Sequence, residues 1–120
     1  MDRFDIAEEL KKIRSREADV SSTTLLKTDT LRVVLMALKS GAQLHEHHAD
    51  GRLVLQVLDG EIEFKAENAK QVLKAGMIVS VEAKTLHSVR APSEAVLLLT
   101  IAWPQPDPSK TDTHRNIGYR

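Results

Sequence analysis

The sequence predicts an all-β protein with one short helix at its N-terminus. Two observations support this fold class: apolar runs of four to eight residues, and turn residues that recur at short intervals between these runs. In addition, strand-like and helix-like segments do not alternate along the chain, as they would in β-α-β units. Many short strands with frequent turns are typical of an antiparallel sandwich or barrel. The length of 120 residues corresponds to a single domain.

The helix is predicted over residues 5–16. Asp5 is suited to cap it, and an acidic residue follows three positions later. Ile6, Leu10 and Ile13 recur at helical spacing and form an apolar stripe, so we expect the helix to pack on these three side chains.

The predicted strands lie between turn signals. Residues 31–38 are nearly all apolar, which predicts a strand covered on both faces. Asp59-Gly60 joins two alternating runs and predicts a hairpin between them. The strand-like runs are 23–28, 31–38, 52–58, 61–66, 70–73, 77–81, 86–90 and 95–102.

These elements divide the chain into three parts. We predict an N-terminal helical extension at residues 1–22, a barrel at 23–103 and a polar, proline-rich tail at 104–120. Prolines at every second position from Pro104 exclude a helix or a central strand there. His114 lies in this tail and is expected to be solvated.

Composition narrows the expected partners. Lys plus Arg and Asp plus Glu number 17 each, so the chain has no basic excess for nucleic-acid phosphates. One Trp, one Tyr and two Phe offer few surfaces for stacking bases. With no cysteine, a metal site would have to use imidazole, carboxylate or amide ligands.

Membrane association is not expected either. The longest apolar run, residues 95–102, is far too short to span a bilayer. The N-terminal residues lack the basic-then-apolar pattern of a signal peptide, so we predict a cytoplasmic protein. The runs at 31–38 and 95–102 are apolar on both alternating faces, more than one thin barrel would bury, which predicts a homodimer.

Three histidines form the candidate site. His45 and His47 make a His-x-His pair, and His87 follows forty residues later in a second strand-like run. Because residues i and i+2 of a strand point to one face, the rings of His45 and His47 are expected to enter the same space, about 6–7 Å apart. An imidazole from elsewhere in the fold would make the site tridentate. We therefore predict that His45, His47 and His87 bind one metal ion.

Two segments resemble the motifs of the cupin superfamily. Residues 41–60 contain a glycine, the His-x-His pair and a hairpin glycine, and residues 76–91 carry His87 eleven residues after a glycine. The resemblance is to small, single-domain, RmlC-like cupins and implies a double-stranded β-helix, or jelly-roll, barrel with the histidines at its mouth. In metal-binding cupins, three such histidines and a glutamate hold a divalent ion.

The chain departs from this pattern at the glutamate. That position falls on Leu53, beside Arg52, and neither side chain binds a cation. Gln56 is the one polar residue in the apolar run 53–58, so we predict that its amide oxygen replaces the carboxylate as a fourth ligand. Imidazole ligands suit Zn, Fe, Ni or Mn, and the metal is not selected by them.

A second strand register is open. A slip of one residue exchanges the faces of a strand, and would direct Glu46 and His48 inward instead of His45 and His47. Loss of the carboxylate at Leu53 also leaves open whether any metal binds.

Three functions fit these features. The first is a cupin that binds a divalent metal through histidines and acts on or binds a small polar molecule. The second is a non-catalytic cupin that binds or senses a small molecule, and the third is a structural cupin without metal. The fold class does not decide whether the protein is an enzyme, because this fold hosts unrelated chemistries.

Overall fold

The computed structural model describes residues 1–104, which form one helix and nine strands. The all-β prediction is confirmed, and most strand boundaries agree with the predicted ones within three residues. The elements are α1 (Ile6–Arg14), β1 (Val20–Lys27), β2 (Leu31–Leu38), β3 (Gln43–His47), β4 (Arg52–Asp59), β5 (Glu61–Ala66), β6 (Ala69–Lys74), β7 (Ile78–Val81), β8 (His87–Arg90) and β9 (Ala95–Ala102).

The strands form two antiparallel sheets. One has five strands in the order β1-β2-β9-β4-β7, and the other has four in the order β3-β8-β5-β6. Several neighbouring strands are distant in sequence, such as β2 and β9 or β3 and β8. This arrangement is the jelly roll that the sequence resemblance implied.

The main core lies between the two sheets. The side chains of β4 alternate strictly between the two faces of the larger sheet, so Leu53, Leu55 and Val57 point inward and are at most 2% exposed. They meet Ile62 and Phe64 of β5, which are equally buried, from the smaller sheet. The barrel interior is therefore filled by apolar side chains along most of its length.

The helix covers part of the outer face of the larger sheet. Asp5 caps it, accepting a hydrogen bond from the Glu8 backbone N–H at 3.1 Å. Ile13 is buried against Leu35 of β2 in a second, smaller apolar cluster, and Leu10 packs at the edge of this cluster. The predicted apolar stripe is thus only partly correct, because Ile6 is exposed and does not join the cluster.

The predicted Asp59-Gly60 hairpin is wrong. The strands on either side, β4 and β5, belong to different sheets, so this connection carries the chain across the barrel. Gly60 has φ +80°, and a Cβ there would lie 2.2 Å from the Glu94 carbonyl oxygen, so only glycine fits. The tight hairpin instead joins β5 and β6, through Glu67 and Asn68, which both have positive φ.

The ends of the barrel differ slightly from the predicted division. β1 begins at Val20, which pairs with Leu38 of β2, so the first strand starts inside the predicted 1–22 extension. Most of the predicted tail, including His114, lies outside the described residues. In the part of the chain that is described, no helix is long and apolar enough to cross a membrane.

Candidate functional site

A β-bulge in β3 determines which histidines enter the barrel. Leu44 pairs with Val89 of β8, and the next recorded pair is His47 with His87. Two residues of β3, His45 and Glu46, therefore lie opposite the single residue Ser88, and the alternation of faces shifts by one. As a result Leu44 and His47 both face the interior, although they are three residues apart.

The bulge separates the His-x-His pair. His47 enters the barrel, whereas His45 lines a groove on the outer surface of the smaller sheet, together with Glu63, Lys65 and Lys70. The structure thus brings together two of the three predicted histidines, His47 and His87, and does not bring His45 to them.

The two inward imidazoles are in contact. The ring centroids of His47 and His87 are 4.3 Å apart, with an angle of 61° between the ring planes. His87 is 3% exposed and stacks on Phe64 with a centroid distance of 5.7 Å. The position of the His87 ring is therefore fixed by the core, whereas His47 is exposed.

Backbone hydrogen bonds orient both rings in the same way. Nδ1 of His47 lies 2.8 Å from the His45 carbonyl oxygen, and Nδ1 of His87 lies 3.0 Å from that of Thr85. A carbonyl oxygen only accepts, so each Nδ1 carries the proton and donates it. In the neutral ring, Nε2 is then left with a free lone pair that can accept a hydrogen bond or bind a metal.

Burial keeps His87 neutral. Removal from water lowers the pKa of this imidazole, and the hydrogen bond to Thr85 opposes the shift only in part. The nearby His47 and His48 lower the pKa further, because a second positive charge would be repelled. The Nε2 lone pair of His87 is consequently available at neutral pH.

These rings line a pocket of ≈ 170 Å³ at the mouth of the barrel. One side is apolar and the other carries polar and charged groups. The lining residues are Arg32, His47, His48, Ala49, Asp50, Leu53, His87, Leu99, Ile101 and Trp103.

His48 also reaches this pocket, beside Asp50. Its Nε2 lies 3.6 Å from Oδ1 of Asp50. The alternative register, with Glu46 and His48 inward, therefore agrees with the structure only for His48, since Glu46 lines the outer groove with His45. Neither regular register describes the strand, because the bulge lies within it.

Gln56 is not near the histidines. It belongs to the outward-facing residues of β4, which alternate with Leu53 and Leu55, and its backbone pairs with Ile78 of β7 and Leu98 of β9. The structure therefore does not bring the predicted fourth ligand to the pocket. Gln56, the single polar residue in the apolar run 53–58, thus lies on the outward face of β4 rather than in the pocket.

The donor set for a metal ion is incomplete. Two further pocket positions that could hold ligands are apolar: Ala49, which follows His47 by two residues, and Leu53, where the family has its glutamate. Within residues 1–104, no group of three His, Cys, Asp or Glu side chains is arranged to hold a metal. Two imidazole nitrogens fit a transition ion, and the rest of its coordination sphere is not supplied by these side chains.

The sequence alone did not single out Arg32, although a signal was present. It is the one charged residue in the apolar run 31–38, and it alternates with Val34, Met36 and Leu38, which point into the core. That phase directs the half-buried Arg32 side chain to the barrel mouth, where it lines the pocket.

The architecture agrees with the comparison to known families. The sequence profile of the Cupin domain family matches residues 33–102, more than half of the chain. The protein is a cupin. No curated protein matches this cupin in sequence.

Solved structures similar to this cupin cover most of its length. An RmlC-like cupin from Desulfovibrio desulfuricans is 28% identical, with a TM-score of 0.66, over 72% of this chain and 87% of that one. A cupin superfamily protein from Desulfitobacterium hafniense is 21% identical, with a TM-score of 0.70, over 74% and 82% of the two chains. KdgF from Halomonas is 21% identical, with a TM-score of 0.63, over 72% and 82%.

Proposed function

We propose that this cupin binds a small polar molecule in the pocket at the barrel mouth, and that His47 and His87 contact it. The supporting observation is that both rings donate Nδ1–H to a backbone carbonyl and keep Nε2 free. Both rings line the same pocket. Two hydrogen-bond acceptors that line one pocket give a bound ligand a defined orientation.

The dimensions of the pocket limit the ligand. Its volume of ≈ 170 Å³ is below the roughly 300–1,000 Å³ of sites for drug-sized molecules. The ligand is therefore a molecule of few non-hydrogen atoms. Leu99 and Ile101 would contact its apolar part, and the imidazoles its hydrogen-bond donors.

Ligand-observed NMR with a library of small polar fragments tests the proposal. We expect fragments that bind the wild-type cupin to lose binding in His47→Ala and His87→Ala. His45→Ala is the matched control, because His45 is on the same strand but on the outer face. Fragments that bind all three variants equally, or a library without any binder, would contradict the proposed function.

A divalent transition ion is the second candidate ligand, and the free Nε2 atoms favour it. Backbone carbonyls that accept from Nδ1 are the usual outer partners of metal-bound histidines. His47 and His87 would hold Zn, Fe, Ni or Mn, and a bound ion would polarise a small molecule that shares the pocket. With two imidazoles as ligands, we expect weak binding.

Metal analysis of untagged protein tests this candidate. We expect little metal to copurify, and Zn²⁺ titrated into the protein to bind weakly at about one site per chain, which is lost in His87→Ala but kept in His45→Ala. Protein that purifies without metal, and that shows no heat of binding when titrated with Zn²⁺, would exclude the metal while leaving the fragment test unaffected.

A further inference from the structure

Arg32 is an unusual residue for the interior of a barrel. On β2 it occupies the phase of Val34, Met36 and Leu38, which pack into the main core. Its side chain lines the same pocket as His47 and His87. Arginine is seldom enclosed unless its charge is paired.

The guanidinium of Arg32 is poorly partnered. Nη2 lies 3.4 Å from Thr24 Oγ1, which is a long hydrogen bond to a neutral group. Nε is buried and has no hydrogen-bond partner. Every ion pair within 4.0 Å among the described residues involves a cation other than Arg32. No described carboxylate therefore pairs with its guanidinium. A permanent charge with a buried donor that no described residue uses is suited to an anionic partner.

The pocket's own carboxylate is directed elsewhere. Asp50 lies against His48, at 3.6 Å from its Nε2, rather than against Arg32. An anion that enters from outside would therefore find the guanidinium fork available, and the fork matches the two oxygens of a carboxylate.

The imidazoles impose a second requirement. With Nδ1 of His47 and His87 donating to backbone carbonyls, each neutral ring presents Nε2 as an acceptor. The ligand must then offer a hydrogen-bond donor as well as a negative charge. The apolar wall of Leu53, Leu99 and Ile101 suits a short carbon skeleton and disfavours a fully hydrated inorganic ion.

We propose that the pocket binds a small hydroxycarboxylate, whose carboxylate is held by Arg32 and whose hydroxyl donates to Nε2 of His47 or His87. This inference rests on the binding function proposed above and names its ligand class. The guanidinium provides the charge recognition, and the two rings select for the hydroxyl.

Three probes of nearly equal size separate these contributions on the wild-type protein. Lactate has both groups, propionate lacks the hydroxyl and lactamide lacks the charge. We expect NMR titrations of pocket resonances to give the lowest Kd for lactate. The Kd should be several times higher for propionate and higher by about tenfold or more for lactamide, since a charge-assisted pair contributes more than a neutral hydrogen bond.

Variants of the arginine complete the test. Arg32→Lys keeps the charge but not the fork and should weaken lactate binding, and Arg32→Gln should abolish it. Arg52→Gln is the matched control, because Arg52 is on the outside of β4 and contacts Ser80 and Glu82. If Arg32→Gln does not fold, Arg32→Lys and the three probes on the wild type still decide the question.

The outcomes separate the two proposals. If lactamide binds as well as lactate and both are lost in His47→Ala, the pocket is a binding site but the inference about Arg32 is wrong. The same holds if neutral fragments bind the pocket and no carboxylate does. If no fragment and no probe perturbs the pocket, both proposals fail. Equal lactate binding in Arg32→Gln and Arg52→Gln also overturns the inference.

Discussion

At the scale of single residues, one extra residue in β3 determines the composition of the pocket. His45 and Glu46 face Ser88 alone, so the inward phase passes from Leu44 to His47. His47 is consequently the histidine whose ring touches His87. The residue that follows it by two positions is Ala49, which also lines the pocket.

Because Ala49 lines the pocket, we predict that Ala49→His will create a stronger metal site. The new imidazole would enter the pocket beside His47 and His87 and supply a third nitrogen ligand. We expect Zn²⁺ affinity, measured by calorimetry, to rise by about tenfold or more over the wild type. Lys11→His is the control, because it adds an exposed imidazole on α1, away from the pocket and from the other histidines. Equal affinities for the two variants would show that position 49 does not face the pocket.

At the scale of the secondary-structure elements, the N-terminal helix is held by its last turn. Ile13 is 1% exposed in the second core cluster, whereas Ile6 is 38% exposed. The helix is therefore held to the sheet mainly by the burial of Ile13, with Leu10 partly buried beside it, and its first turn does not contribute.

The two isoleucines should differ sharply when truncated. Ile13→Ala is expected to lower the free energy of unfolding by about 2–5 kcal/mol, because it leaves a cavity in a packed cluster. Ile6→Ala, on the same helix, should change it by no more than about 0.5 kcal/mol. Chemical denaturation of both variants measures the difference. Similar losses for the two would mean that the first turn also packs on the protein.

The outer face of the smaller sheet carries an ion-pair network that predicts a pH effect. Glu63 on β5 lies 3.1 Å from Lys70 of β6 and 3.1 Å from Arg90 of β8. The hydrogen bond from Lys70, together with the charges of Lys70 and Arg90, lowers the pKa of this carboxyl. Because the folded pKa is below the unfolded one, the contribution to stability is present above pH about 4.3 and is lost as the pH falls through the folded value.

Carboxyl NMR titration checks this effect directly. Lys70→Met should return the pKa of Glu63 toward its ordinary value, whereas Lys65→Met, on the same face of the sheet, should leave it nearly unchanged. The stability difference between the wild type and Glu63→Gln should be constant at neutral pH and shrink in acid. A Glu63 pKa that ignores Lys70→Met would contradict the assigned cause.

At the scale of the whole molecule, the larger sheet has an outer face that α1 covers only in part. Away from the helix, this face presents Val54 of β4 and Ile78 of β7, and Ile78 is 59% exposed. An apolar sheet surface of this kind is typical of an interface between protein chains. We predict a homodimer, and we expect the second copy to bind to this face of the larger sheet.

Light scattering coupled to size exclusion tests the dimer. We expect twice the chain mass of 13.4 kDa for the wild type and a single chain mass for Ile78→Lys. Val72→Lys is the matched control, because Val72 is 48% exposed on β6 of the other sheet. A wild-type mass of 13.4 kDa at micromolar concentration would refute the prediction.

Much of the fold was predictable because its signals are local. The run 31–38 is a strand with its predicted bounds, and it is covered on both faces, by the core and by the helix-covered cluster. Asp5 caps the helix as its position indicated. The Asp59-Gly60 connection was misassigned because a hairpin turn and a link between sheets use the same residue types. Which strand lies beside which is decided by contacts distant in sequence.

The sequence by itself determined the fold class, the boundaries of most strands and the cupin family, and it predicted a site of three histidines, His45, His47 and His87. Only the tertiary structure decided which histidines meet, because the bulge at residues 44–47 is a property of β3 paired with β8. The same holds for Gln56, which falls on the solvent side of β4, and for Arg32, which falls on the interior side of β2. Alternation predicts that residues share a face, whereas the packing of two sheets determines which face encloses the pocket.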